Sequence, residues 1–207
     1  VCAQIILIMS EKSPFPLIQT PHFLLRQIVA TDLTQIFRGM SDPRVTEYYG
    51  ISYETLELTQ AQLDWFELIY ETGTGIWWGI CRRDEPQHLI GTCGINEWEQ
   101  DDHCAEAGFW IFPEYWGKGV MLECLSAMLD YCFTKLSLHR MQSMVEPDNP
   151  ASWKLIEKLG FQLEGILREC ERKDDRYVDL RCYSLLAREW RNRVQPQATI
   201  VHFPAST

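Results

Sequence analysis

The chain has 207 residues, 46% hydrophobic and 23% charged, with a formal net charge of −10. That mix excludes a largely disordered chain and is enough for one domain with a sizeable core. The acidic balance argues against nucleic acid as the main partner, since phosphate binding needs a positive face. It suits a cationic substrate such as an amine, or solubility alone.

The opening run Val1–Met9 is apolar, too short to span a bilayer and without the basic start of a secretory signal. Val1–Ile8 reads as an upstream extension or an added edge strand, so residues 1–21 are set apart from a domain over 22–190. His22–Arg26 reads as a first strand. Ala30–Met40 follows as a helix with Thr31 or Asp32 near its cap. Ser41–Arg44 is a turn, and Leu56–Tyr70 a second helix. Ile76–Arg82, Leu89–Trp98 and Ala105–Phe112 form an antiparallel meander, with a polar turn at Arg83–Gln87. Val120–Leu136 is a long helix with one buried face. His139–Val145 is a strand parallel to Ala105–Phe112, reached by a right-handed crossover. Ala151–Leu159 is a short helix closed by Gly160. Phe161–Glu171 and Tyr177–Ala187 make a final hairpin, and residues 191–207 a loosely packed tail.

Eight cysteines and five histidines are scattered, with no C-x-x-C pair. No zinc site is expected, and free thiols in a reducing cytoplasm fit best.

The stretch Phe112–Met121, FPEYWGKGVM, places Gly117 and Gly119 at the mouth of a helix. Helix-start amides have no internal partners and carry roughly half a positive charge. Two glycines there make either a tight turn or a seat for a phosphate. The pattern is not a P-loop, and Leu122 stands where a dinucleotide fingerprint would need its third glycine.

Three stretches, AEAGFWIFPEYWGKGVM, EPDNPASWKLIEKLGF and LEGILRE, closely resemble the GNAT N-acetyltransferase superfamily. The nearest branch is the ribosomal-protein N-terminal acetyltransferases of the RimJ/RimL type, and the resemblance spans about His22 to Ala187. One residue departs from the pattern. Glu114 stands where the loop usually opens with Gln or Arg, and an acid beside a pyrophosphate is unfavourable unless its side chain points away.

The resemblance implies an α+β GNAT fold. Its mixed sheet has about seven strands, mostly antiparallel, around one splayed parallel pair, with helices on both faces. It implies acetyl-CoA as donor and a primary amine as acceptor, either a protein N-terminus or a small molecule. The pyrophosphate would sit on the amides of Trp116, Gly117, Lys118, Gly119 and Val120. The pantetheine arm would lie along Phe109, Trp110 and Ile111 and bond Asn149, with the Ser152 hydroxyl at the thioester sulfur. Asn149 or Ser152 could equally cap the following helix.

Acetyl transfer needs a group to take the amine's proton. Glu171 is the first candidate by resemblance, with Glu169 two residues before it on the same face. Glu106 and Glu97 on the central strands are the others. Each also reads as an ordinary strand charge. Most of Trp65, Trp77, Trp78, Trp98, Trp110 and Trp116 read as core, and segment 41–71 as the acceptor side. No membrane partner is expected, and the chain reads as a monomer or homodimer. The alternative function is a non-catalytic acyl-CoA-binding regulatory module. An unrelated nucleotide-binding α/β protein is disfavoured, because such folds open with βαβ rather than a meander.

Overall fold

A computed structural model describes residues 14–173 and 175–193, and the backbone of 199–201. Val1–Ile8 and Cys2 lie outside the described residues. The strands are β1 (Leu17–Gln19), β2 (Phe23–Gln27), β3 (Ile76–Arg82), β4 (Glu85–Glu99), β5 (Cys104–Ile111), β6 (Arg140–Val145), β7 (Gln162–Lys173), β8 (Arg176–Leu186) and β9 (Thr199–Val201). They form one sheet in the order β7-β8-β6-β5-β4-β3-β2-β1-β9. Every described pairing is antiparallel except β5 with β6. This is the expected mixed α/β arrangement, enlarged to nine strands by the three-residue strands β1 and β9 at one side.

The helices are α1 (Leu33–Met40), α2 (Pro43–Thr46), α3 (Leu56–Thr72), α4 (Val120–Thr134), α5 (Pro150–Leu159) and α6 (Ala187–Arg191). Local chemistry sets their ends. Thr55 accepts the Leu58 N–H and starts α3, and Gly73 at φ 71° ends it. Asn149 accepts the Ser152 N–H and starts α5, which Gly160 ends. Asp32 does more than cap. Its buried carboxylate takes two 2.7 Å bonds from Arg26 and one from the Val29 N–H, locking β2 to α1.

Two neighbouring tryptophans define the layers, because successive strand residues face opposite ways. Trp77 packs on Trp65 and Phe66 of α3, and Trp78 packs on Tyr131 of α4. So α3 covers one face and α4 the other. Trp77 lies flat across two paired glycines, Gly94 of β4 and Gly108 of β5. A Cβ on Gly94 would stand 2.4 Å from the Trp77 ring, and one on Gly108 2.8 Å. Further along the same face of β5, Trp110 abuts Gly39 of α1, where a Cβ would stand 2.3 Å from its ring.

Several boundaries differ from the sequence reading. The Arg83–Gln87 turn shrinks to two residues, because Arg82 and Glu85 already pair. The 41–44 turn becomes a helical turn, with Pro43 at its first position and Asp42 as its cap. Ala30–Asp32 is a 3-10 turn ahead of α1. β5 stops at Ile111, because the Phe112 N–H turns to Ile90 O and a 3-10 turn begins at Pro113.

The glycine seat of Trp77 carries a prediction. Gly94→Ala adds a methyl that meets the indole at 2.4 Å and the Ile76 carbonyl at 2.5 Å. Its urea midpoint should fall by an amount equivalent to about 1–3 kcal/mol, the usual cost of overpacking. An unchanged midpoint would show that the seat has slack.

Candidate functional site

The parallel pair β5/β6 holds only three rungs: Cys104 with Arg140, Ala105 with Met141, and Glu106 with Gln142. Beyond Glu106 the two strands part. Each keeps its outer neighbour, β5 with β4 as far as Ile111 and β6 with β8 as far as Val145. A wedge therefore opens inside the sheet, lined by strand edges that lack ladder partners. Among the described residues, one side-chain hydrogen bond crosses it, Ser143 Oγ to the Ala107 carbonyl at 3.5 Å. A chain of amides is what such edges can bond.

At the wide end of this wedge stands the N-terminus of α4. Gly119 is its N-cap at φ 79° and Gly117 has φ 70°. Only glycine takes such angles readily. Nothing lies within 4 Å of where a Cβ would be on either one, so the space above them is open. Among the described residues, the amides of Gly117, Lys118, Gly119, Val120, Met121 and Leu122 make no hydrogen bond. That is the donor set a pyrophosphate needs. Trp116 is placed differently from expectation. Its amide is spent on Pro113 O, and its half-exposed indole N–H caps the Ile111 carbonyl at 2.9 Å. Trp110 and Ile111 are buried, so only their backbones are available to a ligand, while Phe109 is partly exposed. The residues present thus fit the pantetheine and pyrophosphate of acetyl-CoA.

Three glutamates from three strands converge at the narrow end. Glu106 sits on the last rung of the parallel pair. Burial, then the charges of Glu97 and Glu171, push its carboxyl up from the ordinary 4.5 to about 7. Both neighbours lie at irregular places. β4 carries an extra residue between Asn96 and Glu99, with Glu97 at φ 49°. β7 carries two between Leu167 and Glu171, with Glu169 at φ 50°. Left-handed backbone at a residue other than glycine is uncommon, and bulges re-aim side chains. The Glu169 irregularity is pinned by its own N–H, which donates to Asp179 at 2.8 Å. It also breaks the simple alternation that would have put Glu169 and Glu171 on one face. The like charges on Glu106 are Glu97 first and then Glu171, and Glu169 is not among them.

Asn149 and Ser152 stand past the end of β6. The Asn149 side-chain oxygen is the α5 cap, so of that side chain only the NH2 group is left for a ligand. The Ser152 hydroxyl makes no hydrogen bond among the described residues, because its backbone N–H, not its side chain, completes the cap.

Two groups escaped the sequence reading. Arg38 of α1 donates to Glu114 at 2.6 Å at the entrance to the glycine loop. Lys173, at the end of β7, donates to buried Glu146 at 2.6 Å and to the Glu47 carbonyl, and lies 5.2 Å from the Tyr48 ring. It straps the final hairpin to the segment between α2 and α3. Both contacts join distant parts of the chain, and no local pattern signals them. No helix of the described residues is long and apolar enough to cross a membrane.

Comparison with known proteins agrees with this geometry. The family model described as acetyltransferase (GNAT) domain matches residues 22–162. An uncharacterised N-acetyltransferase of Bacillus subtilis, YoaA, is 38% identical over 173 residues, covering 83% of this chain and 97% of YoaA. The ribosomal-protein-serine acetyltransferase of Escherichia coli is 29% identical, covering 77% and 84% of the two chains. Among solved structures, spermidine N-acetyltransferase from Vibrio cholerae, in complex with CoA and spermine, superposes with a TM-score of 0.73. It shares 26% identity and covers 82% of this chain and 98% of its own. The chain belongs to the GNAT family of N-acetyltransferases.

Proposed function

We propose that the protein moves an acetyl group from acetyl-CoA to a cationic primary amine, with Glu106 as the group that takes the amine's proton. The observation carrying this is the position of Glu106. It is partly buried, flanked by two further carboxylates, and sits where the donor wedge closes. Bound acetyl-CoA supplies the activated acyl carbon and a thiolate leaving group. The wedge edges and the free amides of 117–122 hold the donor. The clustered charges of Glu97, Glu106 and Glu171 attract the ammonium ion into the site. A carboxylate titrating near neutrality is suited to remove its proton as the nitrogen attacks. The new C–N bond forms as the C–S bond breaks, and the Ser152 hydroxyl is free to donate to the departing sulfur.

The acceptor is a small amine or a protein N-terminus, both cationic near neutral pH. The net charge of −10 and the carboxylate cluster both favour a cationic acceptor. One relative acts on spermidine. The seven cysteines of the described residues are free thiols, which suits a reducing cytoplasm.

Three measurements test the reading. Glu106→Gln should keep acetyl-CoA affinity yet lower kcat/KM for the amine by roughly 10²–10⁴-fold, the range for losing a general base. The parent's kcat/KM should fall below about pH 7, the carboxyl's own value. Glu97→Gln and Glu171→Gln should shift that limb to lower pH by removing a like charge. Near-parental rates in Glu106→Gln, with loss in Glu171→Gln or Glu97→Gln, would move the base to that residue. Acetyl-CoA binding without transfer to any amine would instead favour a regulatory module.

Stability should follow the same carboxyl. Its pKa is 4.5 when unfolded and about 7 when folded, so between those values the native state binds more protons. Stability is then present below about pH 4.5 and lost as pH rises towards about 7. Thermal melts across this window should show a decline that Glu106→Gln flattens; equal slopes in both proteins would place Glu106 in solvent.

Acetyl-CoA should raise the melting temperature of the parent by linkage. Gly119→Val should abolish the rise, since its side chain fills the open space above the loop and resists φ 79°. A folded Gly119→Val that binds acetyl-CoA as tightly as the parent would remove the loop from the site.

A further inference from the structure

Glu114 puts a carboxylate where the superfamily's loop brings a neutral or cationic side chain. It lies in the 3-10 turn Pro113–Tyr115 that leads from β5 into the glycines. The Glu114 carboxylate is turned to Arg38, in the last turn of α1, whose Nη2 donates to it at 2.6 Å. The Arg38 guanidinium carbon also lies 4.2 Å from the centre of the Phe112 ring, so a stacked ring and a carboxylate fix the fork from two sides. Burial disfavours ionised Glu114. Its backbone hydrogen bond and the bond and charge of Arg38, followed by Arg44, outweigh this and lower its pKa. Arg44 itself is paired with Asp42 at 2.6 Å.

The pair is open to solvent, with side chains 60% and 45% exposed, and such pairs add little to stability. Yet only one Arg38 nitrogen is engaged. Among the described residues its Nε and Nη1 make no hydrogen bond. A planar fork held in place with two unspent donors is the geometry that binds phosphate oxygens.

We propose that Arg38 is the phosphate-binding cation of this donor site, supplied by α1 in place of the loop's own residue, with Glu114 as the positioning residue that aims it. The inference rests on the assignment of residues 117–122 to the pyrophosphate.

The test is calorimetric titration with CoA and, in parallel, with acetyl-pantetheine, which has the thioester arm but no phosphate. The parent should bind CoA more tightly than acetyl-pantetheine. If it does not, the pyrophosphate assignment fails, and the role of Arg38 with it. Given that difference, Arg38→Ala should weaken CoA roughly 10- to 100-fold, the worth of a charge-assisted bond, and leave acetyl-pantetheine unchanged. Adding Glu114→Arg to Arg38→Ala should recover CoA binding by returning a cation to the loop. Parental CoA affinity in Arg38→Ala, or equal losses for both ligands, overturns the proposal. So does a double variant as weak as Arg38→Ala alone. Near-UV circular dichroism checks that each variant is folded.

Discussion

The structure turns on a sheet that is not closed at its centre. β5 and β6 share three parallel rungs and then separate, while their outer neighbours continue. Interior backbone groups without partners are costly, so a fold keeps such a wedge only where something else satisfies it. The same divergence fixes the rest of the site. It sends β5 through the glycine turn into α4, so a helix N-terminus with free amides stands at the wide end. It sends β6 into the Asn149 cap of α5. And it leaves Glu106, the last paired residue, at the closed end. The proposed donor seat, leaving-group donor and base are thus ordered along one line by one irregularity.

Rigid packing holds the wedge open. Trp77 of β3 rests on Gly94 and Gly108, and Trp110 on Gly39, so β3, β4, β5 and α1 contact one another through rings set against bare backbone. Interiors packed this closely yield little. The carboxylates then need only modest re-aiming, supplied by the bulge at Glu97 and the pinned irregularity at Glu169. Backbone in an uncommon conformation beside a group with a displaced pKa is the usual signature of a functional site.

Much of this was legible in the sequence. The periodicity of Ala105–Phe112, the G-x-G at the head of α4 and the glycine that ends α5 are local features, and local rules read them well. All three candidate glutamates were visible as residues. Their ranking was not, because Glu106 differs from Glu171 in burial, and burial is decided by strands far apart in the chain. Period-two reasoning also misplaced Glu169, since no sequence signal marks a non-glycine residue in the left-handed region. The outermost strands at one side of the sheet, β1 and β9, are three residues each, too short to show a pattern. The Arg38–Glu114 and Lys173–Glu146 contacts span 76 and 27 residues, beyond any local rule.

Amide hydrogen exchange with and without CoA tests the central point directly. If the wedge is the donor site, CoA should slow exchange at residues 107–111 of β5, 143–145 of β6 and 117–122 before and within α4, because those amides gain partners or lose solvent. Strands β2 and β3, outside the wedge, should change little. Unaltered exchange across the wedge at saturating CoA, or protection confined to other elements, would contradict a donor site between β5 and β6.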